Sequence, residues 1–342
     1  MFLSCFDWRN ENMMNYDIFL EVVKEKFMDY MPEQYRNGEL QIHDVNKVNE
    51  TLDGLTVLLP DNKGICPSLY VNDMYKEYME TGNLNEVLSN GAVRYVEALQ
   101  MAKEKKGELN IDPERIKENV VLALINTEQN KELLAGIPSK PFQDLSVIFR
   151  WVVSQDERGV ASTIVNNALM EAAGLTPDTL MNCAIDNTKR IMPPKISTME
   201  ELLVGKMGMD PMFVSGLMEE REPKETMWVI SNEQGINGAA AMLYEENLHK
   251  LAEKVGTDMY LLPSSIHEWI AISTEMMDPK ELAEMVQSVN AEQVELSERL
   301  SNNVYHYDKE QRKVTMATDV PNKRLDGIVA ETPMIYDSVA KR

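Results

Sequence analysis

MWVISNEQGINGAAAMLYEENLHKLAEKVGTDMYLLPSSIHEWIAIS, residues 227–273, decides the fold class. It reads as strand, turn, helix and strand. Gly235-Ile-Asn-Gly238 precedes the helix and suits a tight turn rather than a phosphate loop. Met259 to Leu262 is apolar and β-like, so a buried strand is expected there. Pro263 has no N–H to donate and is expected to end that strand's pairing. A serine next to it can then cap a turn or a helix start, and Ile266, Trp269, Ile270 and Ile272 return the chain to the core.

On the N-terminal side, apolar residues at helical spacing predict a helix over Tyr16–Tyr35, with Asn15 or Asp17 as its cap. Leu40–Val48 and Leu52–Leu59 read as a hairpin, and Ser68–Val71 as a short strand. A helix stopped by Gly82 and a second from Leu84 to Lys103 complete a small α+β lobe. KEKKGELNIDPER, Lys103 to Arg115, is the expected boundary. Beyond it, Val120–Ile125, Leu145–Val153 and Val160–Val165 are strand-like. Thr176 and Pro177 open a helix that runs to about Arg190. Ser197 and Glu200 match a capping box for a short helix to Val204. The expected fold class is α/β. Its division is a disordered leader (1–13), an α+β lobe (14–108), a larger mixed-sheet lobe (109–300), a hairpin (301–318) and a flexible tail (319–342).

The chain has 342 residues, enough for a sizeable core. Its charge is acidic: 34 Lys and Arg against 56 Asp and Glu, a net of -22. Residues 196–300 hold 20 acidic and 7 basic side chains. That balance argues against nucleic-acid binding, which needs clustered cations. It favours solubility or a basic partner. Cys5, Cys66 and Cys183 form no CxxC pair, which suits a reducing cytosol and excludes a four-thiolate zinc site. No apolar run is long enough to span a membrane, and the start MFLSCFDWRN lacks a basic n-region and a cleavage site.

The densest group of reactive side chains is Ser264, Ser265, His267 and Glu268. A serine nucleophile needs a histidine within hydrogen-bond reach and an acid to orient it. Residues this close in sequence rarely meet that geometry, so a structural turn or cap is the first reading, a ligand-contacting site the second and a hydrolase the third. His43, His249, His267 and His306 are scattered, which gives no metal site, and no nucleotide or other cofactor motif is present. Met207, Met209, Met212 and Met218 lie among glycines and suit a loop on the core or an adaptable partner surface. Asn72, Asn126, Asn166, Asn167, Asn187, Asn232 and Asn237 fall at element ends as caps or turns; together in one cleft they would read a polar ligand.

PSLYVNDMYKEYMETG (67–82), GLTPDTLMNCAIDNT (174–188), SNEQGINGAAAMLY (231–244) and MYLLPSSIHE (259–268) resemble a family of bacterial proteins, mostly from anaerobic gut Firmicutes. The family is known only as a domain of unknown function. The Leu-Pro-Ser-Ser-Ile-His-Glu string is the most specific part, and the likeness runs from Tyr16 to about Ala317. It implies a cytoplasmic bacterial α/β protein and no particular chemistry. With the composition, it leads to the expectation of a non-enzymatic binding or regulatory protein with a protein partner. The alternatives are a Ser/His/Glu hydrolase and an acidic decoy for a basic nucleic-acid-binding protein.

Overall fold

Asn15 sets the start of the first helix: its side chain accepts the Ile18 N–H, and α1 (Tyr16–Tyr30) follows. The structure, a computed structural model, describes residues 13–60, 66–104, 112–156, 159–207, 221–321 and 323–327. The chain is a mixed α/β protein that divides into two compact units, residues 1–47 with 51–110 and residues 48–50 with 111–342. α1 stops at Tyr30, short of the expected Tyr35. Pro32 biases Met31 to extended backbone, and a separate 3-10 turn takes up Glu33–Tyr35.

In the first unit β1 (Glu39–Asn46) pairs antiparallel with β2 (Thr51–Leu58), and β3 (Leu69–Tyr70) joins β2. α2 (Val71–Thr81) ends on Gly82, whose φ of 69° is the left-handed cap that glycine adopts without a Cβ penalty. α3 (Leu84–Glu104) closes the unit. Phe19, Phe27, Leu55, Val57, Met74, Leu88 and Tyr95 form its core. Within that core the Tyr95 hydroxyl accepts the Val57 N–H at 2.6 Å. Of the expected leader, Met13 packs against this core; residues 1–12 lie outside the described residues.

The second unit opens with α4 (Pro113–Asn119), β4 (Val120–Asn126), α5 (Lys131–Ala135), β5 (Ser139–Phe142), β6 (Leu145–Asp156) and β7 (Gly159–Ile164). β6 pairs with β4 along one edge and with β5 and β7 along the other. α6 (Asn167–Ala172) and α7 (Pro177–Ile191) follow, the latter capped by Thr176 with Pro177 in its first turn. α7 lies along β4. Its Thr188 hydroxyl accepts the Leu122 N–H at 2.9 Å, and Asn187 donates to the Val120 carbonyl at 3.1 Å. Side chains of a helix thus satisfy part of a strand edge, one of the ways such edges are protected.

The rest of the unit comprises β8 (Pro194–Thr198), α8 (Met199–Met207), β9 (Trp228–Asn232), α9 (Glu245–Val255), β10 (Met259–Ser265), β11 (Glu268–Ser273), α10 (Pro279–Gln293), β12 (Tyr305–Asp308) and β13 (Lys313–Met316). Its strands form one sheet in the order β13-β12-β10-β11-β9-β8, each described pairing antiparallel. Strand alternation sends Trp228, Ile230, Leu261, Trp269, Tyr305 and Tyr307 to one face, where they share a core with Leu122, Leu124, Phe149 and Trp151. On the opposite face Leu262 and Ile272 are covered by Leu282, Ala283 and Val286 of α10.

Three further expectations change. Pro263 does not end its strand. It sits opposite Trp269, and β10 runs on to Ser265 through a register shift that absorbs the missing donor. The capping box forms one residue later than expected. Thr198 Oγ1 accepts the Glu201 N–H at 3.1 Å, and Glu201 Oε2 accepts the Thr198 N–H at 3.0 Å. Ser197 lies one residue back within β8, opposite Val229, while Thr198 is the last residue of that strand. The expected tail starts as packed chain: Leu325 is 3% exposed, its N–H donates to Gln129 Oε1, and its carbonyl accepts from Arg299. Residues 328–342 lie outside the described residues.

Candidate functional site

Ser264 and Ser265 end β10, His267 lies in the two-residue turn and Glu268 opens β11. The turn is closed locally: Ser265 Oγ accepts the His267 N–H at 3.0 Å. No helix starts there, so Ser265 caps a turn and not a helix. A second loop, residues 235–239, clasps this one. Ser231 Oγ donates to the His267 carbonyl at 2.8 Å, and the Ala239 N–H donates to the Ile266 carbonyl at 3.2 Å. Asn232 Oδ1 holds the start of the clasping loop by accepting the Gly235 and Ile236 N–H groups. Gly235 (φ 66°) and Asn237 (φ 50°) both take left-handed backbone. At Gly238 a Cβ would overlap Ser231 Oγ and the His267 carbonyl oxygen, so only glycine fits.

This clasp determines what His267 can do. Its Nδ1 accepts the Asn237 N–H at 3.0 Å. A ring nitrogen that accepts carries no proton, so the neutral ring bears its proton on Nε2. Nε2 faces Glu298 Oε1 at 3.5 Å. Ser264 Oγ lies 3.5 Å from Glu268 Oε1, at the outer limit of a hydrogen bond. Ser264 meets Glu268 and Ser265 meets the His267 backbone, and no hydrogen bond joins either serine hydroxyl to the imidazole among the described residues. The indole of Trp269, fully buried, anchors the turn by donating to the Ala239 carbonyl at 2.9 Å.

Beside the clasp, on the sheet face opposite the main core, a cleft of about 440 Å³ opens between β8, β9 and α8. Its floor is Val229 and Leu202; its polar groups are Lys195, Ser197, Glu201, Ser231, Asn232 and Glu233. The β8–β9 pairing builds it, because Lys195 faces Ser231 and Ser197 faces Val229, all on one face. Lys195, Glu201 and Glu233 make no ion pair among the described residues. Of these, the sequence reading singles out Asn232 as a possible cleft residue and Ser197 as a cap, and misses Lys195, Glu201, Ser231 and Glu233. The available signal was the period-two run Lys195, Ile196, Ser197, polar outward and apolar inward.

The remaining expected residues scatter. Met207 ends α8, and Met209, Met212 and Met218 lie outside the described residues. Asn166 caps α6, Asn187 ties α7 to β4, and Asn72 accepts the Asp53 N–H. Asn126 enters a buried set with Asn49 and Asn130, in which amides bond one another and nearby carbonyls. Among the described residues, no three His, Cys, Asp or Glu side chains gather in a group that could hold a metal ion. Elsewhere, Glu245 at the start of α9 takes two hydrogen bonds from Arg312 and one from the Tyr307 hydroxyl. The Arg312 guanidinium holds its carboxyl down to about 2.

The chain belongs to the family described as "Family of unknown function (DUF5688)", whose sequence profile matches residues 16–309, from the start of α1 to just past β12. No curated protein and no solved structure matches it. No helix of the described residues is long and apolar enough to cross a membrane.

Proposed function

We propose that this chain is a non-enzymatic binding or regulatory protein of the bacterial cytoplasm, acting on a basic protein partner. The observation that carries the reading is the commitment of His267. The ring nitrogen that a serine nucleophile would need accepts a backbone N–H instead. The densest reactive cluster of the chain therefore serves to hold a turn. The partner's charge is inferred from the net of -22 and from the acidic excess in residues 196–300. On sequence grounds, the apolar share of the interface is assigned to Met207, Met209, Met212 and Met218.

Two measurements test this. Labelling with a serine-reactive fluorophosphonate is expected to fail; labelling abolished by Ser265→Ala and by His267→Ala would make the hydrolase reading the better one. Capture from host lysate is expected to retain a basic protein at low salt and lose it at high salt, since exposed charges are screened within about 10 Å at 0.1 M. Capture that is indifferent to salt would remove the electrostatic argument. A captured protein that itself binds nucleic acid through the same surface would turn the reading into that of a decoy.

A further inference from the structure

We propose that the cleft between β8, β9 and α8 binds a small zwitterionic peptide of dipeptide size with aliphatic side chains. This goes beyond the partner reading and does not depend on it. The cleft's volume, about 440 Å³, falls within the range of roughly 300–1,000 Å³ typical of small-molecule sites.

The argument starts from strand register. Lys195 stands opposite Ser231, so Glu233, two residues further along, is its diagonal neighbour on the same face. The Glu233 N–H donates to the Pro193 carbonyl, which continues that register past the end of β9. Diagonal neighbours across an antiparallel pair sit roughly 7–8 Å apart, within reach of long side chains. Lys195 and Glu233 nevertheless form no ion pair; both line the cleft, as does Glu201. An ammonium and two carboxylates therefore face one volume without neutralising each other.

A ligand that completes them carries a carboxylate for Lys195 and an ammonium for Glu233 or Glu201. It must bridge a lysine and a glutamate whose backbones stand roughly 7–8 Å apart. Two extended residues span at most about 7 Å, close to that backbone spacing, and a single residue spans about half of it. Between the charged ends, Val229 and Leu202 offer an apolar floor for aliphatic side chains. Ser231 spends its proton on the His267 carbonyl, which leaves its oxygen free to accept a peptide N–H. Ser197 lines the same wall, and its hydroxyl bonds no protein group among the described residues.

The test is calorimetric titration of the full chain with L-leucyl-L-leucine, paralleled by thermal unfolding, where a ligand specific to the folded state raises the midpoint with concentration. N-acetylated and C-amidated dipeptides each remove one charge, and free L-leucine removes the span. The dipeptide is expected to bind, with each capped form and free leucine at least ten-fold weaker. Lys195→Met is expected to bind the intact and the amidated dipeptide equally weakly, and Glu233→Gln to bring the intact and the acetylated forms closer together. Circular dichroism of both variants establishes that they fold. No binding to folded wild-type chain at millimolar dipeptide would overturn the proposal. Unchanged binding in both variants, or free leucine binding as well as the dipeptide, would do the same.

Discussion

The β10–β11 turn and the β8–β9 cleft share Ser231, whose hydroxyl donates to the His267 carbonyl while its residue lines the cleft. They otherwise differ in how their polar groups are used. In the turn, Ser265, His267 and Ser231 all bond to backbone or from it, and the residues that meet are sequence neighbours or clasp partners. In the cleft, Lys195 on β8 and Glu233 just past the end of β9 face one volume unpaired with each other. Reactive residues crowded along one stretch tend to satisfy their own backbone, as short polar side chains do in turns. Groups left available for a ligand are brought together by strand pairing.

The sharpest way to break this comparison is Gly238→Ala. The added Cβ overlaps both Ser231 Oγ and the His267 carbonyl, so the clasp and the cleft wall cannot both keep their places. We expect a loss near 3 kcal/mol in urea unfolding, at the upper end for an overpacked site. An unchanged midpoint would mean that the two loops separate freely and that the clasp holds nothing. Next in size is Ser231→Ala, which leaves the half-buried His267 carbonyl without its hydroxyl donor and should cost about 1 kcal/mol. His267→Ala removes the acceptor of the Asn237 N–H, but the ring is 28% exposed and water can replace it. Its cost should not exceed that of Ser231→Ala; a larger loss would make the imidazole the centre of the clasp.

Much of the second unit was readable because its signals are local. Thr176 and Pro177 mark the start of α7, and the apolar run from Val120 gives β4. Gly235-Ile-Asn-Gly238 reads as a tight turn, and the left-handed backbone at Gly235 and Asn237 is the reason for its composition. What was misread depended on choices between adjacent residues or on distant pairing. Ser197 and Thr198 are both plausible caps and both pair in β8; Thr198 takes the role because it is the last residue of that strand, directly before α8. β8 itself begins at Pro194 after Pro193, which reads as a helix stop rather than a strand start. Pro263 keeps its place in β10 because a register shift follows it, and a shift of one residue leaves no mark in composition. The cleft was invisible for the same reason: 38 residues separate Lys195 from Glu233, and only register unites them.

Acid unfolding provides a control outside both regions. Arg312 and Tyr307 hold the Glu245 carboxyl at about 2, below its unfolded value of roughly 4.3. A depressed carboxylate contributes stability that is full above pH about 4.3 and is lost as pH falls through about 2. Glu245→Gln should therefore be less stable than wild type at neutral pH, with the gap closing between pH about 5 and 2. The side chain is 39% exposed, so screening by water keeps the gap below about 1 kcal/mol. A gap that persists undiminished at pH 2 would show that the Glu245 contact stabilises by packing rather than charge.

The smallest expected effect bears most directly on the comparison. Lys195 is exposed, sits on a strand at the described edge of its sheet, and makes no ion pair among the described residues. Nothing in the fold relies on its charge, so Lys195→Met should change stability by no more than about 0.5 kcal/mol, the usual range for surface positions. Methionine keeps a stem of similar length without the charge. The same substitution is the one expected to abolish selection for a ligand carboxylate. A residue that is neutral for folding and decisive for binding is what distinguishes a site from a turn. If Lys195→Met instead costs more than about 1 kcal/mol, its ammonium is satisfied within the protein, and the cleft is then another structural arrangement of the same kind as the clasp around His267.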